Sequence, residues 1–485
     1  MLLSTLLLTA SAGFANADAT ASLELTLPQS LQAATEKVLS SGFSNSLRRA
    51  SPSGPGKGRG RGRGPGRRGG PGGGPGGGPT FDGAVYAMSN DFTANSIVAY
   101  GRGTNGMLTF VGEFATSGQG AMFDGGEGLD PLISAYAVLL TPDNEFLMAV
   151  NAGSNSLTVF RVNSDMTLTI TDVANTGGVG PNSIAYSNGL VYVSNIDADG
   201  VFAGEPDQEG SLMGFQLNRA GVLTAIPGST RVLDNRPSGI QFSPSGGHLV
   251  VTSINAGSSA LASGSIDEVV VYSVSRSGRL SFGIVGAAAS TLPFNRENRN
   301  LASAIGFEVV EQGGQEFVVV TEAREFQADG SPPTFPNLQT GSVSVWRLLG
   351  SGALAPLQLD VLAGNTIFDG ELTTCWIEFS ANQDYFWTSN AIPASLSSYA
   401  FNANGTVSLL NATEAVGTPG VPSDPFGTTD GWIDLWASDD GRFIYQLYGL
   451  AGIIGVFETS GPNLTLIQEV SGQLPTSNTQ GIVAF

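Results

Sequence analysis

Glu322 follows Val318-Val319-Val320-Thr321, so a strand buries its carboxylate at least in part. A carboxylate in that setting pairs with a cation or has a shifted pKa. Arg236, Arg296, Arg299 and Arg324 are the arginines near enough in pattern to pair with it, or to clamp a substrate carboxylate in a bidentate fork. Two readings of Glu322 stay open here, a structural ion pair and a general acid/base. Asn90, Asn151, Asn195 and Asn390, with Ser253 and Tyr448, each close a β-rich run and could face a ligand. The alternative for each Asn is a turn cap that satisfies backbone groups. Asp130, Asp369, Glu371 and Asp430 add carboxylates in connecting segments.

Other chemistries lack their residues. His248, the one histidine, follows Ser243-Pro244-Ser245-Gly246-Gly247 at the start of a strand, away from the groups above. That excludes Ser-His-Asp and Cys-His catalysis there, and any His-based metal site. Cys375, the one cysteine, lies in the apolar run Thr374-Cys375-Trp376-Ile377, where burial makes it inert, and it has no partner for an intrachain disulfide. Oxygen ligands could hold Ca²⁺, yet Asp197-Ala198-Asp199-Gly200 lacks the remainder of a calcium loop. No metal and no other cofactor is expected.

The scaffold for these residues is written by repetition. A β-rich run ending in a small polar residue, a loop, and a strand ending in an aromatic recur seven times. The copies are Ala84 to Tyr100, Phe146 to Phe160, Leu190 to Phe215, Leu249 to Tyr272, Phe317 to Trp346, Phe386 to Tyr399 and Phe443 to Phe457. A turn and a further strand follow, as in Gly106-Met107-Leu108-Thr109, Gly221-Val222-Leu223-Thr224 and Gly278-Arg279-Leu280-Ser281. From the second copy onward an apolar strand and a hairpin turn, such as Thr141-Pro142-Asp143-Asn144, come first. Four antiparallel strands make a propeller blade, so the fold class is all-β, a seven-bladed β-propeller over residues 80–485. The first copy lacks its leading strand and the chain ends on Gly481-Ile482-Val483-Ala484-Phe485. The C-terminal strand is therefore expected beside Ala84 to Ser89, closing the ring and hiding an edge. In such a ring the long loops share one face, here called the top, with the polar strand ends and the arginines round its mouth.

Tyr86-Ala87-Met88-Ser89-Asn90-Asp91, Ala149-Val150-Asn151-Ala152-Gly153-Ser154-Asn155-Ser156, Val319-Val320-Thr321-Glu322-Ala323, and Thr374-Cys375-Trp376 with Trp387-Thr388-Ser389-Asn390-Ala391 resemble the secreted lactonase-family propellers. That group is related to 6-phosphogluconolactonase and fungal 3-carboxymuconate cyclase, and the resemblance spans residues 80–485. It implies lactone hydrolysis, or formation by a muconate cycloisomerase-type isomerase, with Arg side chains on substrate carboxylates and a His or Glu moving the proton. His248 departs from the family's central histidine. Glu322 would then be the acid/base, the four arginines the clamps, and a small carboxylated lactone the substrate. The competing expectation is a non-catalytic extracellular propeller that binds glycan or protein.

Charge divides the chain. Before residue 80 nine Lys and Arg face three acids, a net of +6, and beyond it 12 Arg face 38 acids, a net of −26. The large domain repels nucleic acid and anionic membranes, so neither is a partner. Residues 51–79 form a Gly/Pro/Arg-rich disordered linker, read as a spacer or as a grip on acidic polymer such as wall polysaccharide. Residues 18–50 hold one short amphipathic stretch, Leu27 to Leu39, and residues 1–17 read as a signal peptide ending in Ala15-Asn16-Ala17. A secreted, extracellular monomer is expected, with glycosylation acceptors at Asn404, Asn411 and Asn463.

Overall fold

The computed structural model describes residues 81–121, 130–197, 210–254, 268–289, 299–326, 339–392, 394–416 and 431–485. These fall within one compact unit. The signal peptide, N-terminal segment and linker expected over 1–79 lie outside the described residues, as do Arg296 and Asp430.

All seven repeat copies fold as antiparallel pairs. They are Gly83–Met88 with Ser96–Arg102, Phe146–Asn151 with Ser156–Val162, Leu190–Asp197 with Gly210–Leu217, and His248–Ile254 with Val269–Ser273. Gln315–Phe326 with Gln339–Leu348, Tyr385–Ile392 with Ser395–Phe401, and Phe443–Tyr448 with Ile453–Ser460 complete the set. These middle strands are covered on both faces by neighbouring blades, so they read as continuous apolar runs. In Gly83–Met88 every residue is buried. The outer strand Leu108–Ala115 instead mixes exposed and half-buried positions, as a sheet face open to water does.

Seven inner strands surround the axis: Ile482–Ala484, Val138–Leu140, Val179–Ser187, Arg236–Phe242, Leu301–Gln312, Leu372–Phe379 and Trp432–Ala437, for blades one to seven. Each touches the next, and Trp432–Ala437 and Val138–Leu140 both touch Ile482–Ala484. The ring thus closes by packing of blade on blade. The C-terminal strand completes blade one, with Val85 opposite Ala484, Tyr86 opposite Val483 and Ala87 opposite Ile482. Arg102 Nε also donates to the Phe485 carbonyl at 3.0 Å.

The glycine of the repeated turn fixes how blades approach. Gly106 and Gly405 have φ of +78° and +85°. A Cβ at Gly106 would sit 2.3 Å from the Phe443 ring, and one at Gly405 2.2 Å from the Phe317 ring. Each turn lies on the aromatic that opens the middle strand of the preceding blade, and only glycine permits both the dihedral and the contact.

One expected strand differs. Gly278 to Ser281 forms only an isolated bridge, Val274 to Leu280, and the outer strand of blade four is Gly286–Ala288. Arg231 of blade three donates to the carbonyls of Leu280 and Ser281, tying that stretch to the neighbouring blade instead of to its own ladder.

Candidate functional site

The inner strands of blades three to seven share a local irregularity. Their register shifts between Pro181 and Ser183, Pro237 and Gly239, Ala304 and Phe307, Thr374 and Trp376, and Trp432 and Leu435. A bulge re-aims the side chains at that point. In blade seven the re-aimed segment carries Asp434. Gln446 Nε2 takes up the backbone carbonyls it displaces, donating to Ile433 at 2.7 Å and to Asp434 at 3.3 Å.

The bulges frame a plug. Residues 130–136, which lead into blade two, cross the axis with Ile133 and Tyr136 at φ of +50° and +65°. Ser134 Oγ donates to the Asn182 carbonyl of blade three at 2.8 Å, and the Ala135 amide to the Ser238 carbonyl of blade four at 2.9 Å. Trp376 of blade six donates Nε1–H to the Ser134 carbonyl at 3.0 Å. Tyr136 places its hydroxyl on the Phe307 carbonyl of blade five, 3.1 Å from Glu308 Oε1, and its ring packs edge-on to Trp436 of blade seven. Gln480, leading into the blade-one inner strand, donates to the Ser134 carbonyl at 2.7 Å. One short segment therefore bonds or packs to six blades.

Two carboxylates meet at the plug, Asp130 at its start and Asp434 from the inner strand of blade seven. Asp130 Oδ1 accepts from Gln480 Nε2 at 2.6 Å, while its Oδ2 is buried with no hydrogen-bond partner. Burial, then the charge of Asp434, push the Asp130 carboxyl up to about 8. Asp434 Oδ2 accepts from the Gly481 amide at 2.8 Å, and burial pushes it up to about 7. A void of about 10 Å³, the space of a single water, lies beside Asp434 among Tyr136, Gly306, Trp376, Trp436 and Gly481. No Arg, Lys or His lines it. Further along the axis Glu308 accepts from Gln241 Nε2 at 2.7 Å and is raised to about 7 by burial. Glu378 is raised by burial and by the charge of Glu308. Two interacting carboxyls titrating near neutrality, one of them beside a polar void, can donate and accept protons at physiological pH.

Of the residues singled out from the sequence, Asp130 lies at this site and the other described ones lie elsewhere. Glu322 Oε2 accepts from Arg324 and from Ser342 Oγ, both at 2.5 Å. Arg324 also lies 3.5 Å from Asp360 and donates to the Asn300 carbonyl at 3.0 Å. Arg299 binds Asp360 through Nε and Nη2, the latter at 2.8 Å, and donates to Gln339 Oε1 and the Thr340 carbonyl. Burial opposes ionisation of Asp360, but Arg324 and Arg299 hold its carboxyl below the usual range. The network is a buried ion cluster, which corrects the expectation of Glu322 as acid/base with Arg299 and Arg324 as open clamps. Their donors are already committed to protein acceptors. Arg236 is buried at the start of the blade-four inner strand.

The Asn residues are turn caps and blade braces. Asn90 donates to the carbonyls of Ala121 and Asn478 and accepts the Ala121 amide. Asn151 donates to Ser156 and Thr158, and Asn390 to Ser395 and Ser397, at the same spacings along each chain segment. Asn195 donates to the Thr176 carbonyl and to Ser211. All four are fully buried. They cannot ring the mouth because they end middle strands, one strand removed from the axis. Glu371 likewise accepts from Ser395 and Thr413, whereas Asp369 is exposed. His248 and Cys375 are buried, His248 at the first residue of its strand. Asn404, Asn411 and Asn463 are exposed on outer turns and strands of blades six and seven. Among the described residues no group of three His, Cys, Asp or Glu is placed to hold a metal ion.

Asp434 was not singled out in the sequence, although a lone acid inside Trp432-Ile433-Asp434-Leu435-Trp436 carries the same signal that drew attention to Glu322. Glu308 and Glu378 share it.

Residues 123–216 match the family described as Lactonase, 7-bladed beta-propeller. No curated protein matches the chain in sequence. Among solved structures, the periplasmic gluconolactonase of Pseudomonas aeruginosa is 14% identical with a TM-score of 0.52, covering 82% of this chain and 98% of its own. A Bacteroides fragilis protein provisionally designated a 6-phosphogluconolactonase is 13% identical with a TM-score of 0.51, covering 83% and 97%. A Sulfolobus tokodaii protein described as a hypothetical selenium-binding protein is 12% identical with a TM-score of 0.56, covering 84% and 94%. Likeness at this level establishes architecture and leaves chemistry to the site. The chain is thus a seven-bladed β-propeller whose blades two and three, over residues 123–216, are similar to the lactonase propeller family.

Proposed function

We propose that this propeller has a lactonase-like activity, hydrolysing a small lactone at the mouth of its channel with Asp130 and Asp434 as the proton-transfer pair. The observation that carries this reading is the pair itself: two buried carboxyls at about 8 and about 7, the second beside a water-sized void and the first raised in part by its charge. The family match and a fold shared with a gluconolactonase support the lactone class.

In the proposed step, the Asp434 carboxylate takes a proton from water as the water oxygen bonds to the lactone carbonyl carbon. The ring C–O bond then breaks and Asp130 delivers its proton to the departing oxygen, giving a hydroxy acid. The lactone would approach from the top, past the plug. A carboxylated substrate has less support than a neutral one, since Arg299 and Arg324 are committed within the fold. Export and action outside the cell remain part of the proposal, resting on the apolar N-terminus.

The filled channel favours one rival, a non-catalytic propeller that binds glycan or protein on its surface. The deciding experiment is turnover of a panel of neutral and carboxylated lactones by the full chain, alongside Asp434→Asn. Turnover abolished in the variant supports the proposal. No turnover across the panel overturns it in favour of the binding module.

A further inference from the structure

Gln480 and Gly481 lead into the closing strand and touch both carboxylates of the pair. Gln480 is fully buried. Its carboxamide orientation is fixed on both sides: Oε1 accepts the Leu132 amide at 2.7 Å, so Nε2 must be the atom facing Asp130 and the Ser134 carbonyl. Gly481 sits at φ +92°, and a Cβ there would lie 2.7 Å from Val138 Cγ2 of blade two. Its carbonyl accepts the Met88 amide at 2.9 Å while its own amide points at Asp434.

We propose that Gln480 and Gly481 form a positioning clamp, which pins one oxygen of each carboxylate and leaves Asp130 Oδ2 as the oxygen that carries the transferable proton. This rests on the acid/base reading above. The assignment of the atom follows from partners. Oδ1 already accepts a short bond from Gln480, so a proton there would meet a donor, whereas Oδ2 is buried and unpartnered. Among the described residues the charged group facing Asp130 is Asp434, from the inner strand of blade seven, and the neutral ones are Gln480 and the Ser134 amide. Gln480 acts through Asp130 and is a positioning residue. By donating to the carboxylate form it lowers the pKa that burial has raised. The clamp arrives on the same segment that completes blade one, so ring closure and site assembly are one event.

The test uses full-length Gln480→Met and Gln480→Glu. Two quantities are followed: the pH dependence of kcat on a lactone the wild type turns over, and the midpoint of the Asp130 carboxylic-acid infrared band, identified by its loss in Asp130→Asn. Both variants should move the alkaline limb and the infrared midpoint upward by about one pH unit, Gln480→Glu by more. A limb and a midpoint that stay in place would overturn the clamp, whatever happens to thermal stability. Gln480→Glu keeps the acceptor for Leu132 and preserves the measurement should Gln480→Met fail to fold. If the wild type turns over no lactone, the acid/base reading falls, and the infrared midpoint alone still decides whether Gln480 sets the acidity of Asp130.

Discussion

Glu322 and Asp360 share blade five with two arginines, whereas Asp130 and Asp434 lie at the axis and, among the described residues, form no ion pair. Both groups are buried carboxylates, and the protein treats them in opposite ways. In blade five each charge is neutralised and hydrogen-bonded, so Asp360 stays ionised and the cluster braces the strands Gln315–Phe326 and Gln339–Leu348 against the outer strand Leu354–Leu362. At the axis, hydrogen bonds offset desolvation only in part, and the carboxyls hold protons near neutrality. A buried acid with a guanidinium is a fastener, and one without is a proton store.

The largest effect should come from the axial pair. Asp434→Asn is expected to lower turnover about 100-fold or more, read as kcat/KM, with no loss of melting temperature at pH 8. A variant that keeps full turnover would remove the distinction between the clusters. Glu322→Gln should do the reverse. It leaves Arg324 short of a partner in a buried site, costing about 3 kcal/mol in denaturant unfolding while folded protein retains its turnover. A loss of turnover without a loss of stability would return Glu322 to the catalytic role.

Away from both clusters, Gly405→Ala forces a Cβ onto the Phe317 ring at positive φ and should cost about 2 kcal/mol in the same measurement. An unaffected midpoint would mean the blade contact yields.

The smallest effect is on melting temperature against pH, and its sign separates the clusters. Asp130, Asp434 and Glu308 have folded pKa values raised to about 8, 7 and 7, so the unfolded chain holds fewer protons than the native one above the ordinary carboxylate range. Their stabilising contribution is complete below that range and is lost as pH rises to about 8. Asp360 is lowered, so its contribution is present above the ordinary value of 3.8 and is lost on further acidification. Melting temperature should fall from pH 5 to pH 8 and fall again in strong acid. A curve rising from pH 5 to pH 8 would contradict the raised axial carboxyls.

Much of the architecture was legible because propeller blades repeat local signals. Apolar runs, turn glycines and the aromatics from Tyr100 to Phe457 sit at regular intervals, and the leftover strand Gly481 to Phe485 matched the gap in blade one. Gly278 to Ser281 misled because Arg231, a residue of another blade, redirects it. The candidate site was less legible. Burial of Glu322 and its pairing with an arginine follow from its neighbours, but which arginine donors remain open depends on Asp360, 61 residues from Arg299.

Sequence alone determined the blade count, the strand order within each blade and the meeting of the two ends of the propeller, because hydrogen-bonded hairpins join residues close along the chain. Tertiary structure alone decided which acids lie at the axis. Bulges in five inner strands turn their side chains, residues 130–136 cross to six blades, and Gln480 comes within 2.6 Å of Asp130 from 350 positions away. No local pattern encodes such distances, since each is set by how seven separately legible blades pack into one ring.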